Sequence, residues 1–149
     1  MQPHEKAPGQ RLDRFSPEAR VLVTETAEQI ARARNSGHVW TDHLVIALAG
    51  DSTMEPVFSQ LGVDPQKIVT AIDSIDGKGV QQSPYAIYPT PRLEQAIELA
   101  EAEAFRLSSP EVTIVHLLLG VLREGESISA GVLESLGITL EKARAIATN

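Results

Sequence analysis

The chain repeats itself at an interval of about 74 residues, and this internal duplication limits the folds that are open to it. Ser16 and Thr90, each followed by proline, open long helical patterns that begin 74 residues apart. The sequence VFSQLGV at residues 57–63 matches VLESLGI at residues 132–138, 75 residues further on. Two copies of one unit predict two similar halves that pack on each other, with a groove along the seam between them.

Each copy has the pattern of four helices. The first helix of each is predicted to begin at a hydroxyl N-cap followed by proline, because the missing N–H of proline costs nothing there. The second helix, after Thr41 or Thr113, is apolar almost all round, which is typical of a central helix covered by its neighbours. Gly62 and Gly137 are predicted to end the short third helices. Without useful strand alternation, the predicted fold class is all-α, with eight helices in two pseudo-twofold-related four-helix repeats.

Composition indicates the limits of these units. Residues 1–13 contain two prolines and a glycine without an apolar run, so we expect a flexible N-terminal tail and neither a signal peptide nor an anchor. Repeat 1 is assigned to residues 14–75 and repeat 2 to residues 89–149. Residues 76–88, which include Gly and Pro, are predicted to link the repeats within one compact domain.

Charge and residue usage exclude several classes of function. The chain has 13 Lys and Arg against 20 Asp and Glu, a net charge of −7, which disfavours binding to nucleic acid and to anionic lipid. The absence of cysteine excludes a disulfide scaffold, a thiolate metal site and a cysteine nucleophile. No stretch approaches the ~18 apolar residues of a membrane span. We expect a cytoplasmic protein without cofactor or metal.

Several segments resemble the N-terminal domain of the Clp unfoldase family, and the longest is most similar to the ClpC branch. They are residues 14–17 (RFSP), 41–44 (TDHL), 61–63 (LGV), 88–92 (YPTPR), 116–126 (HLLLGVLREGE) and 133–138 (LESLGI). The resemblance covers about residues 12–147. It implies a double-repeat fold of eight helices, and a domain that docks adaptors and substrates for an ATPase ring that feeds a peptidase.

The ATPase module of that family is not in this sequence. A G-x-x-x-x-G-K-[ST] phosphate loop is missing, since residues 77–79 (GKG) lack both the spacing and the hydroxyl. The resemblance therefore implies an excised domain or a stand-alone protein, and numbering from Met1 favours the second. The expected function is a monomeric, non-enzymatic module that binds adaptor or substrate proteins and modulates a ClpC-type ATP-dependent protease.

Two other functions stay open. A stand-alone domain would also serve as a decoy that sequesters cyclic peptide antibiotics directed at ClpC, through the same groove. A small hydrolase is the third possibility, although no nucleophile elbow or paired-carboxylate motif supports it.

The resemblance also implies a peptide-binding groove at the rim of the seam. In mycobacterial-type ClpC domains, aromatic side chains there form a hydrophobic site for cyclic peptides. The corresponding positions here are Leu12 and Pro89, with Tyr88 beside the second, so the aromatic pair is missing and high affinity for such peptides is not expected. Phe15 and Arg92 complete the predicted groove. For Phe15, a role as a plug at the helix start is favoured over binding.

Asp42 and Val115 occupy positions where ClpC-like domains typically carry glutamate, and that pair can hold the guanidinium of a phosphorylated arginine. Valine cannot accept charge-assisted hydrogen bonds, so the second phosphoarginine-type pocket is predicted to be inactive. The favoured role of Asp42 is a carboxylate at a helix N-terminus. The next residues, His43 and His116, are expected to hydrogen-bond near the helix starts rather than to bind a metal or act as bases.

Two further features receive a structural interpretation. Trp40, directly before Thr41, is expected to pin its loop to the core. Glu94, Glu98 and Glu101 are spaced at i, i+4 and i+7, and this stripe is interpreted as a solvated helix face rather than as a site for a basic partner.

Overall fold

Eight helices make up the part of the chain that the computed structural model describes, residues 12–75 and 86–148. Helix α1 is continuous through an α-helical segment, a π-helical turn and a second α-helical segment: Pro17–Val21, Leu22–Thr26 and Ala27–Ala33. The first half continues with α2 (Thr41–Ala49), a 3₁₀ turn (Ser52–Met54), α3 (Glu55–Leu61) and α4 (Pro65–Ile75). The second half contains α5 (Pro91–Arg106), α6 (Ile114–Glu124), α7 (Ile128–Ser135) and α8 (Leu140–Thr148). Within the described residues the only strand-like pairing is two isolated bridges, so the all-α prediction is confirmed.

The helices begin and end at the residues that the sequence singles out. The hydroxyls of Ser16 and Thr90 each accept a hydrogen bond from the backbone N–H three residues on, at 3.2 Å, and proline follows each cap. Gly62 and Gly137 have φ values of +73° and +88°. Glycine enters this left-handed region without the steric cost of a Cβ atom, which allows the chain to leave α3 and α7.

Helix α6 lies at the centre of the second half, as its apolar sequence predicts. All its residues from Ile114 to Leu122 are buried except Val115. Gly120 lets α5 approach closely, because a Cβ atom at this position would lie 2.2 Å from the carbonyl oxygen of Ala96 and 2.7 Å from the amide nitrogen of Ala100. The buried residues of both halves form one hydrophobic core.

A crossed pair of backbone contacts joins the halves. Residues 14–16, just before α1, pair with Val112 of the second half through two hydrogen bonds of 2.8 Å. Residues 88–90, just before α5, pair in the same way with Val39 of the first half, at 2.9 and 3.0 Å. A pseudo-twofold axis between two similar halves produces this exchange.

The predicted domain limits stay a prediction, because part of the predicted tail and most of the predicted linker lie outside the described residues. Leu12 falls within the predicted tail but is buried in the core. Ile87 falls within the predicted linker and is buried as well. The described core therefore reaches slightly beyond the two assigned repeats.

Helix α1 contains one more residue than its counterpart α5. The caps Ser16 and Thr90 are 74 residues apart, but Asn35 and Ser108, which follow the two helices with φ values of 59° and 56°, are 73 residues apart. The π-helical turn Leu22–Thr26 lies between these landmarks, and such a turn accommodates one additional residue inside a helix. The first half is thus one residue longer between these landmarks, and helix α1 itself accommodates the difference.

Candidate binding groove

A groove of 760 Å³ opens where the two halves meet, and we call it the seam groove. Its lining comes from the loop before α2 and the first residues of that helix (within 38–42), from the start of α5 (within 90–95) and from the connection between α6 and α7 (within 124–128). Both halves are needed to form it. The sequence predicts a groove of this kind between duplicated units.

Two exposed apolar side chains line the seam groove. Trp40 is 50% exposed and Ile128 is 47% exposed. The expectation that Trp40 pins its loop to the core is wrong. Val39 is the residue that turns inward, where it pairs with residues 88–90, and in an extended segment the next side chain faces the opposite way. The His38 ring contacts the Trp40 ring edge-on, with 6.1 Å between the centroids.

Asp42 fixes one side of the seam groove by a hydrogen bond across the seam. Its Oδ1 atom accepts from the backbone N–H of Ser129, in the first turn of α7, at 3.1 Å. The hydroxyl of Ser127 caps the same helix by accepting from the N–H of Ala130 at 3.0 Å. Asp42 lies in the first turn of its own helix α2, as the sequence favours, and it also accepts at the N-terminus of α7 in the other half. Val115, its counterpart, is half-buried on α6 and is not part of the groove lining.

Thr41 is a lining residue whose hydroxyl group is buried and has no hydrogen-bond partner among the described residues. Its side chain is buried, with 3% of the residue exposed, and Oγ1 has no partner among the described residues. A buried hydroxyl normally finds a partner in protein, water or ligand, because leaving it unpaired costs about 1–3 kcal/mol.

The charged groups of the seam groove are mostly acidic. Asp42, Glu124 and Glu126 contribute three carboxylates to the lining, and Arg92 contributes one guanidinium. Arg92 donates from Nη1 to the backbone oxygen of Glu126 at 3.0 Å, and its Nε lies 3.4 Å from Oε2 of Glu124. Arg92 thus compensates Glu124, and carboxylates outnumber guanidinium groups in the lining by three to one.

The two histidines act in helix capping. The Nδ1 atom of His43 accepts from the backbone N–H of Trp40, and that of His116 accepts from the N–H of Thr113, both at 2.9 Å. Because a backbone N–H can only donate, the proton of each neutral ring is on Nε2. Burial lowers the pKa of His116, and the negative charge of Glu103 partly offsets this effect. The expectation of hydrogen bonds near the helix starts is confirmed.

The residues that the sequence predicts for a binding groove separate into three groups. Leu12 and Phe15 are each 3% exposed and belong to the core, so the structure does not place them on an open rim. Tyr88, 69% exposed, and Pro89 lie on the surface beside Val39 but are not part of the groove lining. Arg92 alone of this set lines the seam groove.

Sequence reasoning missed the most heavily paired carboxylate of the described residues. The buried side chain of Glu103 receives two hydrogen bonds from Arg144, at 2.8 and 2.9 Å, and one from Arg123 at 3.2 Å, while Arg106 lies 3.7 Å away. These bonds join α5, α6 and α8. The hydrogen bonds from Arg144 hold the pKa of Glu103 below its ordinary value against the opposing effect of burial. Glu103 lies seven residues, or about two helical turns, after the buried Ala96. This spacing is the sequence signal that places Glu103 on the buried face of α5.

The described residues contain neither a metal-binding cluster nor a membrane-spanning helix. Within residues 12–75 and 86–148, no three His, Cys, Asp or Glu side chains are grouped so that they could hold a metal ion. None of the helices described there combines the length and apolar character that crossing a membrane requires.

The fold and the seam groove define a class of protein: an all-helical double-repeat domain with a concave surface between its halves. The family model named Clp repeat (R) N-terminal domain matches residues 14–136. The chain belongs to this family, and the predicted resemblance is confirmed.

Relatives with related sequences are Clp chaperones. The ClpC/MecB negative regulator of genetic competence of Bacillus subtilis is 34% identical over 133 residues, and the chaperone protein ClpB of Oceanobacillus iheyensis is 32% identical over 133 residues. Each match covers 88% of this chain but 16% of the relative, so the chain spans about one sixth of the length of these proteins.

Solved structures agree with the fold. The N-terminal domain of the chaperone ClpD from Arabidopsis thaliana has a TM-score of 0.72 at 18% identity, covering 91% of this chain and 93% of that domain. A complex of the ClpV N-domain with a VipB peptide has a TM-score of 0.73 at 18% identity, covering 97% and 91%. Together with the family match, these structures show that the chain has the fold of Clp N-terminal domains.

Proposed function

We propose that this protein is a non-enzymatic module that captures segments of adaptor or substrate proteins in the seam groove. The observation that carries the proposal is the pair of half-exposed apolar residues, Trp40 and Ile128, that line a concave surface of 760 Å³. Apolar side chains grouped in a cleft with a few polar groups are the usual composition of a binding site. The ClpV N-domain, which has the same fold, forms a complex with a peptide.

The relatives indicate which proteins this module would bind. They include ClpC and ClpB, so the captured proteins are clients or adaptors of a ClpC-type ATP-dependent protease. The module acts as a monomer in the cytoplasm, and it modulates the protease by presenting clients or by competing for adaptors. The capping bonds at the Nδ1 atoms of His43 and His116 support a structural role for both rings over a role in hydrolysis.

The decoy function, in which the domain sequesters cyclic peptide antibiotics, receives less support. It requires an apolar rim at the positions that the family resemblance implies. Leu12 is buried in the core and Pro89 lies outside the groove lining, which leaves Tyr88 as the exposed aromatic side chain of that rim. A cyclic peptide directed at ClpC that binds with Tyr88 and not with Trp40 would favour the decoy over client docking.

Amide NMR spectra of the isotope-labelled protein, recorded with short overlapping peptides from model unfolded proteins, test the proposal. Peptides that bind are expected to shift the signals of residues 38–42 and 124–128. Ile128→Asp should abolish the shifts, while Phe105→Asp should leave them unchanged, because Phe105 is exposed on α5 outside the groove lining. Shifts that map to another surface, or no shifts with any peptide, would contradict the proposal.

A further inference from the structure

We infer that the seam groove selects peptide segments in which an arginine or lysine stands next to an aliphatic residue. The inference rests on the proposed function and adds the chemistry of the ligand. Three features of the groove carry it: an exposed tryptophan, an excess of carboxylates and an apolar wall.

The indole of Trp40 offers a site for a cation. Tryptophan is the aromatic side chain that attracts cations most strongly, because its ring face carries negative electrostatic potential. Trp40 is 50% exposed in the groove lining, and the His38 ring contacts it edge-on with an interplanar angle of 68°. A guanidinium or ammonium group entering the groove can therefore reach the indole.

The carboxylates make the same site favourable for positive charge. Arg92 compensates Glu124, but its bond to Glu126 goes to the backbone oxygen and not to the side chain. Among the described residues, no ion pair involves the Glu126 carboxylate, which is exposed at the groove. A ligand cation placed there gains a charge partner, whereas an acidic ligand meets repulsion.

The apolar wall accounts for the second part of the specificity. Ile128 is 47% exposed, and the ring of Pro91 is exposed at the start of α5, on the same groove. An aliphatic side chain next to the cation can cover these carbons while the cation remains near Trp40 and Glu126. Charge and apolar contact then select the same short segment.

Intrinsic fluorescence provides the test, because Trp40 is the only tryptophan in the chain. The probes are blocked Leu-Arg-Leu peptides and matched peptides with citrulline or glutamate in place of arginine. Citrulline keeps the shape of arginine without its charge. We expect a saturable fluorescence change with the arginine peptide, and affinity weaker by about tenfold or more with the citrulline peptide.

Variants assign the effect to the groove. Glu126→Gln should reduce affinity for the arginine peptide towards that of the citrulline peptide. Glu134→Gln is the matched control, since Glu134 is exposed on α7 outside the lining. Equal affinity for the arginine and citrulline peptides would overturn the inference while leaving the proposed function intact. Absence of binding by all three peptides to the folded protein would overturn the inference, and the NMR mapping then decides the proposed function separately.

Discussion

The Oδ1 atom of Asp42 lies 3.1 Å from the backbone nitrogen of Ser129, although 87 residues separate them in the sequence. The carboxylate of Asp42 in the first half thus accepts a hydrogen bond from an N–H group at the N-terminus of α7 in the second half. This bond joins the start of α2, directly after Trp40, to the first turn of α7, which begins at Ile128.

Removal of this carboxylate should destabilise the domain. Asp42→Ala is expected to lower the free energy of unfolding by about 1–2 kcal/mol, because a helix N-terminal N–H loses its acceptor in a buried place. Asp42→Asn retains an acceptor and should cost less. Denaturant unfolding measures both, with Asp13→Ala, at an exposed position, as the control. An Asp42→Ala protein as stable as the control would show that the bond is dispensable.

The cluster around Glu103 should be more important for stability than Glu98, the exposed member of the acidic stripe on the same helix. Glu103→Gln is expected to cost about 1.5–3 kcal/mol, because it removes the charged partner of Arg144 and Arg123 from a buried position. Glu98→Gln, at an exposed position of α5, should change stability by less than about 0.5 kcal/mol. Thermal and denaturant unfolding of the two variants compare them directly. Similar losses in both would refute this ranking.

Acid should weaken the fold through His116. Since burial lowers its pKa in the folded state, the unfolded chain binds more protons than the folded one as the pH falls below the ordinary imidazole range of about 6.5. The contribution of neutral His116 to the free energy of unfolding is therefore expected to be fully present above that range. It should decrease as the pH falls through it. Protonation of Nδ1 would also break the bond from Thr113 N–H.

His116→Gln isolates this contribution. A glutamine at the third helical position can accept the N-cap N–H without titrating. The variant should show a smaller loss of stability between about pH 6.5 and 5 than the unmodified protein, measured by denaturant unfolding across this range. His38→Gln, at an exposed position, serves as the control. An unchanged pH dependence in His116→Gln would exclude His116 as a source.

Substitution of alanine for glycine should have opposite effects on stability at Gly120 and at Gly131. Gly120→Ala is expected to lower stability by about 2 kcal/mol or more, because the new methyl group would meet the backbone of α5 at Ala96 and Ala100. Gly131→Ala, in α7, meets no atom within 4 Å and should raise stability by about 0.5–1 kcal/mol. Circular dichroism melts of both variants test the pair. A harmless Gly120→Ala would show that α5 and α6 can move apart.

Local signals account for what the sequence predicts well. The caps at Ser16 and Thr90 and the C-terminal turns at Gly62 and Gly137 depend on residues within one helical turn, so they can be read without the tertiary structure. The seam groove follows from the duplication alone, because similar halves that pack together leave a groove.

Contacts between the halves are what the sequence does not reveal. Trp40 is exposed because Val39 pairs with residues 88–90, which are distant in the chain. Glu103 is buried because Arg144, 41 residues later, returns to meet it. The sequence places Asp42 at the start of α2, but it does not reveal the hydrogen bond that Asp42 accepts from α7. These features require the packing of the halves and not only the pattern within each.

The π-helical turn in α1 has a consequence for how the two halves can diverge. The chain on both sides of α1 is held by the opposite half, at residues 14–16 and at Val39. The π-helical turn takes up the extra residue inside α1, between those anchors. A difference in length between the halves is thereby confined to one helix, and the backbone pairing across the seam stays in place.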